Sequence, residues 1–359
     1  MLKLSIIIPV YNVEQYIRPC LESVIRQGLK EECYEVIVVN DGTEDRSIEM
    51  IQDLISRYQN IIVINQKNQG LSMARNNGLQ VATGEYVLFI DGDDLLMDNC
   101  LSYLLNKTIS SKADLVVADY IRMNDDQITK NIGHPFTQND GRVLEKTGED
   151  LFLNDLDPNC CYVWRTLYRR EFLDKNSLRF IPNICFEDIP FTHQCYAKAD
   201  LCLKVNWVMY IYRKGHVTIT STFDKKKGLD YCVAMAKTWN LQHTIQLSPM
   251  VLHKIQQDVF FYFSFMMCSA SHTLKTQDMR ELIDLLLQEA PDLKFINGFK
   301  QIIISFLFRQ MPDVYVYSRC LYGKYVENII FPFYHHRLVK LGKFPRRIGK
   351  CLFPIRIMG

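Results

Sequence analysis

The chain opens on a run with little polar interruption, Leu4-Ser5-Ile6-Ile7-Ile8-Pro9-Val10. A strand apolar on both sides suits a parallel sheet covered on both faces. Tyr11 to Glu14 breaks the run. Ile17, Leu21, Val24 and Ile25 then fall on one helical stripe. The alternation repeats. Residues 35–39 form a second strand ending in the turn cluster Asn40-Asp41-Gly42-Thr43, and Met50, Leu54 and Tyr58 mark a helix. Residues 61–64 form a third strand, 71–80 a helix closed near Gly78, and 86–90 a fourth strand. This β-α-β-α-β-α-β pattern predicts an α/β, doubly wound, Rossmann-like sheet, whose ligands bind beyond the carboxyl ends of the strands.

Further on, residues 113–120 read as another strand, and 124–141 as a polar hairpin or loop. Trp164 and Tyr168, four residues apart, read as core on one helix face. Helical periodicity dominates from Tyr231 to about Phe308, including an aromatic stretch, Phe260 to Phe265, read as a buried helix. The expected domains are a catalytic one at 1–222, a helical C-terminal region at 223–318 and a tail at 319–359.

Composition is that of an ordinary globular chain, 359 residues with 48% hydrophobic and 23% charged positions. The net charge is +2, but residues 319–359 carry nine Lys/Arg against one acid, Glu327. That basic tail interleaves Phe331, Phe333, Tyr334, Phe344 and Phe353 with Arg and Lys, which suits an anionic membrane surface as well as a solvated tail. Nothing else in the chain reads nucleic acid, so no nucleic-acid partner is expected. Twelve cysteines lack metal-type spacing, and Met1-Leu2-Lys3-Leu4 leads straight into a strand with no signal peptide. A cytoplasmic protein with reduced cysteines follows as the expectation, peripheral on the inner face of the plasma membrane.

The candidate chemistry lies where the fourth strand ends. Asp91, Asp93 and Asp94 follow within four residues, a negative patch that calls for a cation. With diphosphate oxygens, Asp91 and Asp93 suit Mg²⁺ or Mn²⁺; the alternative is an acidic turn capping the next helix. A second acidic pair, Glu187-Asp188, is flanked by apolar residues. Partial desolvation there raises a carboxyl pKa and suits a general base, although a pair complementing a helix N-terminus fits as well. Glycine fingerprints for dinucleotides or for a phosphate loop are missing after the first strand.

Four stretches carry a resemblance: residues 5–12, the run Val38-Val39-Asn40-Asp41-Gly42-Thr43-Glu44-Asp45, Asn68 to Asn76, and Thr83 to Asp94. In this order and spacing they resemble the nucleotide-sugar half of a family 2 glycosyltransferase of the bacterial cell-surface or exopolysaccharide type. The resemblance implies a GT-A fold with a mixed sheet and covers about residues 4–220. It implies that Pro9 and Tyr11 line the base pocket, that Asp41 accepts a hydrogen bond from the base, and that Asn68 and Arg75 sit by base and diphosphate. Asp91 would reach the ribose or sugar, and Asp93 the metal. Asp188 would be the base, with Glu187 in support, and His216 a third metal ligand. Asp41 as a plain turn residue and Arg75 as a solvated helix charge remain open. Gly92 departs from the Ser or Ala common in relatives.

The implied activity is inverting, metal-dependent transfer of a sugar from a nucleotide-diphosphate sugar, with UDP as the expected nucleotide, to a glycan or lipid-linked acceptor hydroxyl. A non-catalytic nucleotide-sugar-binding scaffold is the alternative. A nucleotidyltransferase would want a Gly-rich, Lys/Arg-bearing loop where Tyr11-Asn12-Val13-Glu14 stands.

Overall fold

All seven residues of β1 (Leu4–Val10) are buried, as a run covered on both faces requires. Its one hydroxyl, on Ser5, donates to the buried carboxylate of Glu35 at 2.7 Å. The computed structural model describes residues 3–131, 139–215 and 222–294. After β1 come α1 (Ile17–Ile25), β2 (Tyr34–Asn40), α2 (Gln52–Arg57), β3 (Ile61–Asn65), α3 (Gly70–Val81), β4 (Tyr86–Phe89) and β5 (Leu95–Leu96). Then follow α4 (Cys100–Thr108), β6 (Leu115–Asn124), α5 (Asp125–Asn131), β7 (Val143–Lys146), α6 (Gly148–Asn154), β8 (Thr166–Arg169), α7 (Arg170–Lys175), α8 (Asp188–Lys198) and β9 (Cys202–Lys214).

The sheet among the described residues runs β3-β2-β1-β4-β8-β6-β9-β5, with β7 paired to β9. The first four strands are parallel. β8 runs antiparallel to both β4 and β6, so the sheet is mixed. Chain direction across the sheet reverses at β1, which has β2 on one side and β4 on the other. A crevice therefore opens beyond the carboxyl ends of β1 and β4, the place where open α/β sheets bind ligands. Ile6, Ile8, Val10, Leu88 and Ile90 join Ile17, Leu21 and Val24 of α1 in one core.

Three expectations are corrected. Gly78 does not close α3, which continues to Val81; it lies inside the helix, where a Cβ would meet Ile7 Cγ2 at 2.4 Å. Residues Asp125–Asn131 are helical rather than a hairpin or loop, with Asp125 and Asp126 in the first turn, where carboxylates favour helix. Trp164 and Tyr168 share no helix face: Trp164 lies in a 3-10 turn (Val163–Arg165) and Tyr168 in β8. Both are nonetheless buried core.

Contacts divide the described residues into two compact units, those up to 215 with Leu241–Leu252, and Thr222–Asn240 with 253–294. Described helices of the later part are α9 (Lys225–Trp239), α10 (Leu241–Thr244), α11 (Pro249–Thr273) and α12 (Thr276–Glu289). In the second unit Cys232 of α9 packs by sulfur on Met266, and Lys225 pairs with Asp278 and Glu281 of α12. No helix among the described residues is long and apolar enough to cross a membrane.

The approach of β4 to β1 is close enough to exclude any side chain at Gly84. A Cβ there would lie 2.5 Å from the Leu4 carbonyl carbon and 2.5 Å from the Ser5 nitrogen, both backbone. Gly84→Ala is expected to cost about 1–3 kcal/mol, as overpacking does, measured as a lower urea midpoint with unchanged slope.

Candidate active site

Loops at the carboxyl ends of β1, β2 and β3 are laced together by polar groups. The Asn12 N–H donates to Thr43 Oγ1 at 2.8 Å and the Glu14 N–H to Asp45 at 2.9 Å. Asp41, 3% exposed, accepts from Gln66 Nε2 at 2.7 Å and from the Gln69 and Gly70 N–H groups at 2.8 and 2.9 Å. Its carboxylate thus shapes the 66–70 loop. Asn68 on that loop is exposed, Tyr11 is 40% exposed, and Pro9 is buried within β1.

The exit of β4 passes close to that of β1. A Cβ on Gly92 would sit 3.1 Å from the Pro9 carbonyl oxygen and 3.2 Å from Val13 Cγ2, so a side chain there would need its neighbours to give by a few tenths of an ångström. The three carboxylates around it meet three environments. Asp94 is 1% exposed and accepts from the Tyr210 hydroxyl at 2.8 Å and the Arg213 N–H at 2.7 Å. Burial, then the charges of Asp93 and Asp91, push its carboxyl well above the usual range. Asp94 is a structural anchor to β9. The Arg213 side chain donates to the Asp93 carbonyl at 2.7 Å and pairs with Asp125.

Asp91 meets Arg75. The guanidinium, 3% exposed, gives Nη2 to Asp91 Oδ1 at 2.7 Å and Nη1 to Glu187 Oε1 at 2.5 Å. It also lies over the Phe180 ring at 5.3 Å. Burial opposes its charge, but Asp91 and Glu187 outweigh that and hold the proton more tightly. The resemblance places Arg75 by base and diphosphate; its partners among the described residues are these two carboxylates. Burial raises both Asp91 and Glu187, with Arg75 acting in the opposite direction on each.

Asp188 is the first residue of α8, and Glu187 the residue before it. Burial first, then the neighbouring Glu187, push the Asp188 carboxyl up to about 7, against the lowering pull of Arg75. A half-buried carboxylate with that affinity is tuned for proton abstraction near neutral pH. The preceding loop is held from α3. Asn76 donates Nδ2 to the Phe180 carbonyl at 2.8 Å and accepts the Phe180 N–H at 2.9 Å, while Ser72 donates to the Ile184 carbonyl at 3.3 Å. Phe186, just before the acidic pair, is left-handed at φ 65°, a costly conformation for an aromatic residue.

Arg75 therefore brings Asp91, Glu187 and Asp188 together. Asp93 and Asp94 join them through β4, whereas Asp41, Asn68 and Tyr11 belong to the loops after β1–β3 and Pro9 to β1 itself. His216 and the basic tail lie outside the described residues. Sequence reasoning missed Asn76 as a clamp and Tyr210 as a support. The spacing of Asn76 one residue after Arg75 was the available signal.

No group of three His, Cys, Asp or Glu side chains that would hold a metal occurs among the described residues. The donor set still fits a cation shared with substrate: Arg75 takes only Oδ1 of Asp91, and Mg²⁺ uses one or two carboxylates plus phosphate oxygens.

A family model described as Glycosyl transferase family 2 matches residues 5–176. The uncharacterized glycosyltransferase EpsJ of Bacillus subtilis (strain 168) is 37% identical, over 60% of this chain and 62% of its own. The uncharacterized glycosyltransferase YibD of Escherichia coli (strain K12) is 32% identical, over 64% of this chain and 67% of its own. The chain thus spans less than two thirds of EpsJ. Among solved structures, S. aureus TarS 1-349 in complex with UDP covers 96% of this chain and 93% of its own, with a TM-score of 0.66 at 20% identity, a likeness of fold.

The carboxylates separate by experiment. Asp94→Ala strands two buried donors and is expected to cost about 1–3 kcal/mol, seen as a lower melting temperature. Asp93→Ala keeps the backbone carbonyl that Arg213 uses, and its melting temperature is expected to fall less.

Proposed function

The chain belongs to glycosyl transferase family 2, and from that premise we propose that it is an inverting glycosyltransferase. It moves a sugar from a nucleotide-diphosphate donor, with UDP as the nucleotide, to the hydroxyl of a glycan or lipid-linked acceptor. The observation that carries this reading is the Arg75 bridge, which brings the acidic motif at the end of β4 to the Glu187-Asp188 pair at the start of α8. Inverting transfer needs a leaving-diphosphate site on one side of the anomeric carbon and a base on the other. The binding of UDP by the TarS fold neighbour supports the choice of nucleotide.

In this mechanism the donor lies in the crevice beyond β1 and β4, its base among the 11–14, 41–47 and 66–70 loops. Asp91 and Asp93 would hold a divalent cation with the diphosphate. Such an ion neutralises charge on the departing nucleotide. Asp188 takes the proton from the acceptor hydroxyl as its oxygen attacks the anomeric carbon. Glu187 stays paired with Arg75, so the neighbouring negative charge keeps Asp188 basic without competing for the proton. The basic tail, outside the described residues, would add peripheral contact with an anionic membrane where lipid-linked acceptors are made.

The direct assay incubates the protein with nucleotide sugars and Mg²⁺ or Mn²⁺ and measures nucleoside diphosphate release. Release from a UDP-sugar, abolished by chelator and restored by added cation, is expected. Metal-independent release would sink the cation's role, and absence of both release and nucleotide binding would sink the catalytic reading.

The base is tested by pH. Asp188 must be unprotonated to act, so kcat is expected to fall about tenfold per unit below about pH 7. Asp188→Asn is expected to lower kcat by about 10²–10⁴ with donor binding retained. Arg75 lowers the Asp188 pKa, so Arg75→Met should move the acid limb of kcat to higher pH.

A further inference from the structure

We propose that the aromatic cluster beside the acidic motif is an acceptor platform, and that the acceptor it takes is a sugar bearing phosphate. The proposal rests on the glycosyltransferase reading and specifies what that reading leaves open. The cluster begins at Tyr210, whose hydroxyl bonds Asp94. Trp164 stacks on Tyr210 at 4.0 Å and 8°, and Tyr162 on Trp164 at 4.5 Å and 12°. Tyr212 lies 5.6 Å from both Tyr162 and Trp164. Tyr120 meets the same two rings edge-on at 5.6 and 5.0 Å. A continuous wall of rings therefore leads away from the donor motif.

Its other side is tied to the base helix. Thr192, one turn beyond Asp188 on α8, donates its hydroxyl to the Cys161 carbonyl at 3.0 Å, next to Tyr162. The wall thus touches the elements that carry both the acidic motif and the base, as an acceptor must. Trp164 and Tyr210 are buried, whereas Tyr120, Tyr162 and Tyr212 keep part of their surface open. The polarised C–H bonds of a pyranose face suit the electron-rich faces of such rings.

Charge supplies the second half of the argument. Arg122 Nη2 reaches the Tyr162 and Tyr120 hydroxyls at 3.3 and 3.4 Å, and Lys214 Nζ lies 4.2 Å over the Tyr212 ring. Neither cation has a carboxylate partner among the described residues. The nearby Asp119 is taken by Lys204 at 2.5 Å and lies 4.0 Å from Arg165. Burial and the repulsion of Arg122 lower the Lys214 pKa, with Asp94 acting in the opposite direction. Two cations held together over aromatic rings, neither of them in an ion pair among the described residues, are complementary to a phosphate, which a guanidinium and an ammonium both bind strongly. Tyr210 at the start of the wall donates to Asp94 at 2.8 Å and accepts the Asp91 N–H at 3.2 Å, so the platform adjoins the acidic motif.

The test uses the full chain saturated with UDP and Mg²⁺, so that the donor site is occupied. N-acetylglucosamine 1-phosphate and the neutral methyl N-acetylglucosaminide are titrated by calorimetry and saturation-transfer NMR. The sugar phosphate is expected to bind at least tenfold more tightly than the neutral glycoside. Arg122→Ala with Lys214→Ala should erase that preference, and Tyr162→Ala should weaken both sugars, with UDP affinity unchanged in every variant. Displacement by a prenyl diphosphate-linked sugar, or by a ribitol phosphate oligomer, then distinguishes a lipid from a polymer as carrier. Equal binding of the two sugars, or an undiminished preference in the double variant, overturns the platform while leaving the donor reading standing. Failure to bind UDP at all overturns the donor reading and the platform with it.

Discussion

The site depends on one buried cation. Arg75 is almost wholly desolvated, a state costing several kcal/mol for an isolated ion. It is stable there because two carboxylates from distant parts of the chain converge on it. One comes from the exit of β4 and the other from the residue preceding α8, 112 positions beyond Arg75. Its Nε has no hydrogen-bond partner, so the pairing is not fully satisfied. Removing such a group leaves two carboxylates facing each other with no counter-charge, which is far worse than never having built the pair. The arrangement therefore fixes the acidic motif against the start of α8 more firmly than either loop could by itself.

The same ion sorts the chemistry of its neighbours. Five carboxylates crowd this region: Asp91, Asp93, Asp94, Glu187 and Asp188. Like charges at such density cannot all ionise in an apolar setting, and different environments must separate their roles. Asp94 is withdrawn from chemistry by Tyr210 and the Arg213 N–H, and Glu187 by Arg75. Asp188 gains proton affinity from burial and from Glu187, yet stays within reach of neutrality because Arg75 pulls the other way. On the proposed mechanism, a base would be useful in this band. With a lower pKa it would not take the proton, and with a much higher one it would already hold it.

Much of this was legible in the chain. Continuous apolar runs gave β1, β2 and β4, because a strand buried on both faces has no use for polar residues. Where polar residues ended those runs, they marked the crevice. Partnership was less legible. Arg75 reads as a nucleotide ligand or a solvated charge, since a helix stripe does not reveal that Glu187 will fold over it. Asp94 is indistinguishable from Asp93 until Tyr210 and Arg213 arrive on β9. Trp164 and Tyr168 fit a helix by spacing, but pairing of β8 with β4 and β6 overrides local period. In each case the deciding contact joins residues far apart in sequence.

Strain beside Asp188 follows from the same long-range construction. Asn183 and Phe186 are both left-handed, at φ 61° and 65°, within six residues of Asp188. Each such residue costs of the order of 1–3 kcal/mol and persists only where its surroundings overdetermine it. Those surroundings are visible: Asn76 grips Phe180 from both sides, Ser72 bonds Ile184, and Arg75 bonds Glu187. All three side chains project from α3, at positions 72, 75 and 76. One helix therefore supplies both the constraint that bends the loop and the charge that tunes its carboxylates. The loop arrives at α8 in a conformation it would not choose alone, with Asp188 left half-buried at the first position of the helix.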